Sequence, residues 1–159
     1  MAIYIKYDGI KGNATGEYAD HIAVTSVQFG VSRAVSMVAG NLSNRESSTP
    51  NLTEITITKA TDMSTAPLFK SAVGGSDAKT VEIIFARTGK DKLEEFMRYK
   101  LEHCVVSGYT FAAYDEGTAE ETVTLSYGKI EISYTGSDAA NKAAGPQRAG
   151  YNLETAKTV

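Results

Sequence analysis

The chain is poor in the residues that most often carry chemistry: one cysteine, two histidines and no tryptophan, with only three prolines. A single cysteine, Cys104, excludes a disulfide within the chain and any cysteine-rich metal site. Its setting, Leu101-Glu102-His103-Cys104-Val105-Val106, reads as a buried thiol acting as a small hydrophobe. His21 and His103 read as exposed or satisfied structural side chains. They give no metal-ligand spacing, and no Gly-x-Ser-x-Gly turn exists to raise a nucleophile beside either. Gly89-Lys90 has Ile84 where a phosphate-cradling loop needs its first glycine. Charge of one sign is lacking too. Sixteen basic residues stand against nineteen acidic ones, scattered along the chain, for a net charge of −3, so no nucleic-acid partner is expected. No run approaches the ~18 apolar residues of a membrane span. Lys6 and Asp8 interrupt any N-terminal apolar core, so synthesis in the cytoplasm without a signal peptide is expected. The acid pairs Glu94-Glu95 and Glu120-Glu121 read as solvated faces or turn edges, and the sequons at Asn13, Asn41 and Asn51 mark loops. The expectation is no enzyme: no catalytic residue, no cofactor and no metal.

What the chain has is alternation. At 159 residues with 42% hydrophobic content, nine Tyr and five Phe, it suits one domain with its own core. Ile3, Ile5 and Tyr7 alternate with polar or small residues up to the Asp8-Gly9 turn, which predicts a first strand. Gly12 to Asp20 reads as a loop. A longer extended segment follows from Ile22 to about Met37. In it Val27, Phe29 and Val31 take one face, and Ser26, Gln28, Gly30 and Ser32 the other. Ile55 and Ile57 alternate with Thr56 and Thr58. A short helix over about residues 64–73 has end signals: Ser64 or Thr65 as cap, Pro67 in the first turn, Leu68, Phe69, Ala72 and Val73 on one face, and Gly74-Gly75 at the exit. Val81, Ile83 and Phe85 form a further inward set ahead of a turn at Arg87–Asp91. Residues 92–101 fit both periods: Leu-Glu-Glu-Phe-Met favours helix by propensity, while Met97, Tyr99 and Leu101 alternate as in a strand. Val123, Leu125 and Tyr127 alternate until the phase slips to Ile130, Ile132 and Tyr134. A β-bulge across Gly128-Lys129 would produce that slip. Residues 136–150 are rich in Ala, Gly and Asn and read as a flexible excursion, with Tyr151 and Leu153 in a last short strand. The fold class predicted is mainly β: a single-domain barrel or sandwich of two curled antiparallel sheets, with one short flanking helix.

Several blocks stand in the order and spacing of a known family. They are Met1-Ala2-Ile3-Tyr4-Ile5-Lys6-Tyr7-Asp8-Gly9-Ile10-Lys11-Gly12, Phe29-Gly30-Val31-Ser32-Arg33, Arg45-Glu46-Ser47-Ser48-x-Pro50, Glu54-Ile55-Thr56-Ile57-Thr58-Lys59, Asp62-x-Ser64, Leu68-Phe69 and Glu121-x-Val123-x-Leu125-x-Tyr127-x-x-Ile130-Glu131. The ordered set, spread over nearly the whole chain, resembles the Hcp family, the haemolysin-coregulated proteins that build the inner tube of the bacterial type VI secretion system. Ala66-Pro67 shifts the helix start relative to that family's usual Ser-Ser-Pro or Ser-Thr-Pro.

The resemblance implies a single Hcp-like tube domain over 1–159 and a long strand, not a helix, at 92–101. Strand is the expectation taken here, because tertiary pairing can override propensity. It also implies a homo-hexameric ring, stacking of rings, secreted effectors in the lumen, and contractile sheath and spike or baseplate proteins as partners, with no membrane insertion. The protein would leave the cytoplasm through the type VI machinery. Ser26, Gln28 and Ser32 become candidates for the lumen wall, since their face carries small neutral groups and no Lys or Glu. Arg45, Glu46, Ser47, Ser48 and Pro50 become candidates for contacts between subunits, through charge-assisted hydrogen bonds at Arg45 and Glu46. The alternative reading is the tail-tube protein of a contractile phage or phage-like particle, which shares the architecture.

Overall fold

In the computed structural model, residues 1–40, 49–75, 77–136 and 145–159 are described. Their elements run β1 (Ala2–Tyr7), β2 (Ile22–Val24), β3 (Ser26–Gln28), β4 (Val31–Ser32), β5 (Asn51–Leu52), β6 (Ile55–Ala60), α1 (Thr65–Gly74), β7 (Lys79–Thr88), β8 (Leu93–Ala112), β9 (Glu120–Ser126), β10 (Lys129–Tyr134), β11 (Gln147–Asn152) and β12 (Lys157–Thr158). Every strand pairing is antiparallel.

The spine is β8, 20 residues long. Its first half pairs with β7 on one edge and β10 on the other, and its second half pairs with β9. Pairing with β7 from Leu93 onward, joined by β10 from Met97, satisfies this backbone as a strand, so the helix-forming run Leu-Glu-Glu-Phe-Met is overridden. From β8 the sheet runs through β7 and β1 to β2 in one direction, and through β9 and β6 to β3 in the other. Only Thr25 separates β2 from β3. Its N–H and its hydroxyl both donate to the Thr58 carbonyl of β6, each at 2.8 Å. The sheet therefore closes on itself as a barrel, which removes most free edges, and β10, β11 and β12 extend from β8 as a flap.

The core follows the alternation. Ile5, Ile22, Ile55, Ile57, Val81, Ile83, Leu101, Val123 and Leu125 point inward and are buried. At about 1.5–3 kcal/mol for each large aliphatic side chain removed from water, this set is the main source of stability. Ile84 and Ala86 are buried on the outer face of β7 as well. Tyr4 and Arg98 flank Ile84 in the register. Tyr18 stacks on Tyr4 at 4.6 Å, so the loop between β1 and β2 covers this patch.

Several details differ from the sequence reading. The segment from Ile22 to Met37 is three short strands. At Gly30 the chain leaves the barrel together with Thr53: Thr53 N–H donates to the Gly30 carbonyl, and Gly30 N–H to the Thr53 hydroxyl, both at 2.9 Å. β4 and β5 continue outward as a separate two-stranded ribbon, and Val31 is exposed there. On the helix only Leu68 is buried; Phe69 and Val73 are exposed. Neither Ser64 nor Thr65 caps a helical N–H. The Asp62 carboxylate accepts from Ser64 N–H at 2.8 Å, and the Thr65 hydroxyl accepts from Asp62 N–H at 3.1 Å. Gly75 exits with φ +56, as the glycine pair predicts.

The phase slip at Gly128 is no bulge. Val105 pairs with Ser126 and Glu102 with Lys129, so neither strand holds an extra residue between those pairs. Both strands change phase together: His103 opposes the break with φ +52, and the inward side passes from Leu101 to Cys104. A bulge does occur on β8 between Val106 and Gly108. Gln147–Gly150 are not part of an excursion but pair with Glu131–Tyr134 of β10. Residues 137–144 of that segment lie outside the described residues.

Candidate functional site

The outer face of β3, β6, β9 and the second half of β8 forms a four-stranded panel. Its register aligns Ser26, Thr58, Thr122 and Thr110 in one row and Gln28, Thr56, Thr124 and Gly108 in the next. Alternate residues of the same strands, Ile57 and Val123 among them, fill the core, which fixes the hydroxyl and amide groups outward. A Cβ at Gly108 would meet the Thr124 hydroxyl at 2.5 Å, so any larger residue there would turn that side chain aside. The bulge beside it brings the Ser107 hydroxyl onto Thr124 Oγ1 at 3.0 Å and onto Glu54 Oε2 at 2.9 Å.

Beyond the kink at His103 and Gly128 the outer face changes character. Lys129 faces Glu102, Glu131 faces Lys100, and Arg98 meets Glu82 at 2.9 Å and Glu95 at 2.6 Å. The hydrogen bond to Glu95 holds the Arg98 guanidinium above its ordinary pKa. One barrel thus carries a charged outer wall and an uncharged one. A solvated face of a monomer ordinarily mixes Lys and Glu, and the panel does not. The panel also has two open edges. Among the described residues β3 pairs only with β6, and residues 105–112 pair only with β9. Unpaired edges of this kind are templates for another chain.

Behind the panel lies a buried ion network that the sequence reading missed. Lys59 and Glu121 are direct partners across β6 and β9, and both are fully buried. The Lys59 ammonium donates to Glu121 Oε2 and lies 3.1 Å from Asp62 Oδ1. Asp62 also accepts the Ser64 hydroxyl, and Glu121 Oε1 accepts the Tyr109 hydroxyl at 2.5 Å. Partial burial, and then this bond to a carboxylate, push the Tyr109 phenol up to about 12. Phe69 of α1 packs edge-on against Tyr109 at 5.8 Å. The network therefore ties three panel strands to the start of the helix. Glu121 is no solvated acid: it shares the inward phase of Val123 and Leu125, as Lys59 shares that of Ile55 and Ile57. Two opposite charges in the inward phase of two strands were the signal.

Of the residues singled out from sequence, Ser26 and Gln28 sit together on the panel. Ser32 does not join them: it faces Asn51 in the ribbon. Pro50 is half-buried just before β5. Arg45, Glu46, Ser47 and Ser48 lie outside the described residues. The ribbon side exposes Val31, Val35, Met37 and Val38. Cys104 is buried, as expected, and burial pushes its thiol up to about 12. Among the described residues no group of three or more His, Cys, Asp or Glu could hold a metal ion, and no helix is long and apolar enough to cross a membrane.

No curated protein matches the sequence significantly. The family model described as "Type VI secretion system effector, Hcp" matches residues 4–134. Among solved structures, one titled "Structure of a type six secretion system protein" superposes with a TM-score of 0.90 at 26% identity, covering 99% of each chain. Hcp1 from Salmonella typhimurium gives a TM-score of 0.80 at 20% identity over 99% of this chain and 98% of that one. A type VI secretion system effector from Yersinia pestis gives 0.75 at 16% identity over 94% and 98%. With a family model spanning the barrel from β1 to β10 and the same fold in those structures, the chain belongs to the Hcp family of type VI secretion proteins.

Proposed function

We propose that this protein is a structural tube subunit: six copies join side by side into a ring whose lumen is walled by the uncharged panel, and rings stack into the tube. The observation that carries the proposal is the panel itself, two rows of hydroxyl and amide groups bounded by two open strand edges. Joining β3 of one copy to the free edge of β8 in the next would satisfy both edges. It would also turn four strands per copy into a continuous wall, the closed outcome of a head-to-tail contact. The Arg98 and Lys129 ion pairs stay on the other outer wall, and on the panel face carboxylates stand only at its margins, at Glu54 and Glu120.

In this reading secreted effectors travel in the lumen against Ser26 and Gln28, and the tube leaves through the type VI machinery. The sheath surrounds it, and spike and baseplate proteins cap it. Ser32, with the ribbon and the loop holding Arg45, Glu46, Ser47, Ser48 and Pro50, contacts a neighbour in the same or the next ring. The exposed Val31, Val35 and Val38 support a contact there, since a run of exposed apolar side chains marks an interaction surface. The role is structural, not catalytic, and needs no cofactor.

The test uses Gln28→Cys, with Cys104 silent because it is buried. In rings, a small maleimide reaches position 28 while a polymer-linked maleimide too large for the lumen is excluded. Dissociated chains react with both. Equal reaction with both reagents in a population of intact rings would refute the assignment. Arg45→Ala is expected to weaken assembly on dilution while the monomer stays folded.

A further inference from the structure

We propose that the panel selects cargo by charge, favouring polypeptides with a basic surface; this rests on the panel being the lumen wall. Ser26, Gln28, Thr56, Thr58, Thr110 and Thr122 have no side-chain hydrogen bond to any other group of the described chain. They are free to bond with whatever lies against them, and being neutral they do not discriminate by charge. Discrimination comes from the panel's ends. Glu54 immediately precedes β6, in the phase of Thr56 and Thr58, and Glu120 opens β9 in the phase of Thr122 and Thr124. Both carboxylates are exposed, at opposite ends of the two neutral rows.

Among the described residues no Lys or Arg lies in the outward phase of these four strands, which holds Ser, Gln, Thr, Ala, Gly, Val105 and these two Glu. Glu54 is held in place by the Ser107 hydroxyl at 2.9 Å, which orients the carboxylate without neutralising it. The Lys59 ammonium behind the panel is buried and paired with Glu121 and Asp62, and beyond the kink Lys129 lies 3.8 Å from Glu102. The panel is therefore a neutral bonding surface with acidic margins. In a ring every copy repeats those margins, so the lumen becomes negative at two levels with hydroxyl groups between them. A low-dielectric wall lined by one sign of charge raises the local concentration of the opposite sign. The occupant that complements it has Lys or Arg around a polar surface. An acidic polypeptide meets repulsion at either level.

The experiment compares retention of a small globular protein, in a net-basic and a net-acidic surface variant, by purified rings whose assembly is confirmed by native mass spectrometry. Each exposed carboxylate–ammonium contact is weak, but two levels together give a preference of roughly fivefold for the basic variant. The preference is expected to shrink toward unity as salt shortens the screening length from ~10 Å at 0.1 M to ~3 Å at 1 M. It is also expected to shrink in rings of the Glu54→Gln/Glu120→Gln double variant, where Gln keeps the bond to Ser107. Intact rings that retain both variants equally, or prefer the acidic one, overturn the charge selection and leave the tube reading standing. If no rings form at all, the tube reading falls and the selection falls with it.

Discussion

Replacing Lys59 by methionine takes one charge from a closed set and leaves the others behind. Lys59 and Glu121 have 0% side-chain exposure and Asp62 has 11%, so water cannot compensate for the missing ammonium. Glu121 would keep only the Tyr109 hydroxyl, and Asp62 only Ser64. Breaking a buried pair by removing one partner costs about 3–5 kcal/mol, a large share of the ~5–15 kcal/mol that holds a domain folded. Glu121→Leu is expected to cost a similar amount, by stranding Lys59. The double variant Lys59→Met/Glu121→Leu removes both buried charges and refills the space with apolar atoms. Its expected cost is no more than ~2 kcal/mol, less than either single change. The assay is urea unfolding of all four proteins in the same assembly state, because ring formation would add to apparent stability. With a urea slope near 2 kcal/mol per molar, the single variants should shift the midpoint down by roughly 2 M. A Lys59→Met cost below ~1 kcal/mol, or a double-variant cost equal to the two single costs added, would refute the claim that these groups form one dry, mutually dependent network.

Other consequences follow from close contacts and burial. Gly12→Ala places a Cβ 2.5 Å from the His21 carbonyl oxygen and the Ile22 Cα, both backbone atoms. It should cost roughly 2 kcal/mol and lower the melting temperature by about 4–8 °C; an unchanged melting curve would contradict the packing of the β1–β2 loop. Burial raises the Cys104 thiol from 9.0 to about 12, and the Tyr7 and Tyr127 phenols from 10.0 to about 12. The folded state keeps these protons while the unfolded chain loses them, so their stabilisation is complete below pH 9 and is lost as pH rises toward 12. Unfolding free energy measured against pH should be level near neutrality and fall above about pH 9; a rise there would be the wrong sign. For the same reason Cys104 should resist a maleimide at neutral pH until urea unfolds the chain, and rapid labelling of the native protein would contradict its burial.

The barrel was legible because its strands are short amphipathic segments. Ile3/Ile5/Tyr7, Ile55/Ile57 and Val123/Leu125 alternate strictly, and a period of two has one structural meaning when one face is buried. The helix was legible from its ends more than its face, for Phe69 and Val73 lie exposed although they continue the Leu68 stripe. What local pattern could not give was pairing. The ribbon of β4 and β5 looks like a continuation of β3, since the Gly30–Thr53 bonds that turn it off the barrel join residues far apart in sequence. The matched phase change at His103 and Gly128 mimics a bulge when either strand is read alone. Ser26 and Gln28 were found as a neutral face, but Thr110, Thr122 and Thr124 joined them only through register. Glu121 was misjudged by type: a carboxylate reads as solvated until its phase is weighed against Lys59 on the facing strand.

The central claim is that the neutral panel belongs to a wall shared among identical copies. Native mass spectrometry at micromolar concentration tests it most directly. The account predicts a dominant species of six times the 17.0 kDa chain, with stacked multiples of it at higher concentration. A protein that stays at 17.0 kDa throughout, with Gln28 open to reagents of any size, would contradict it.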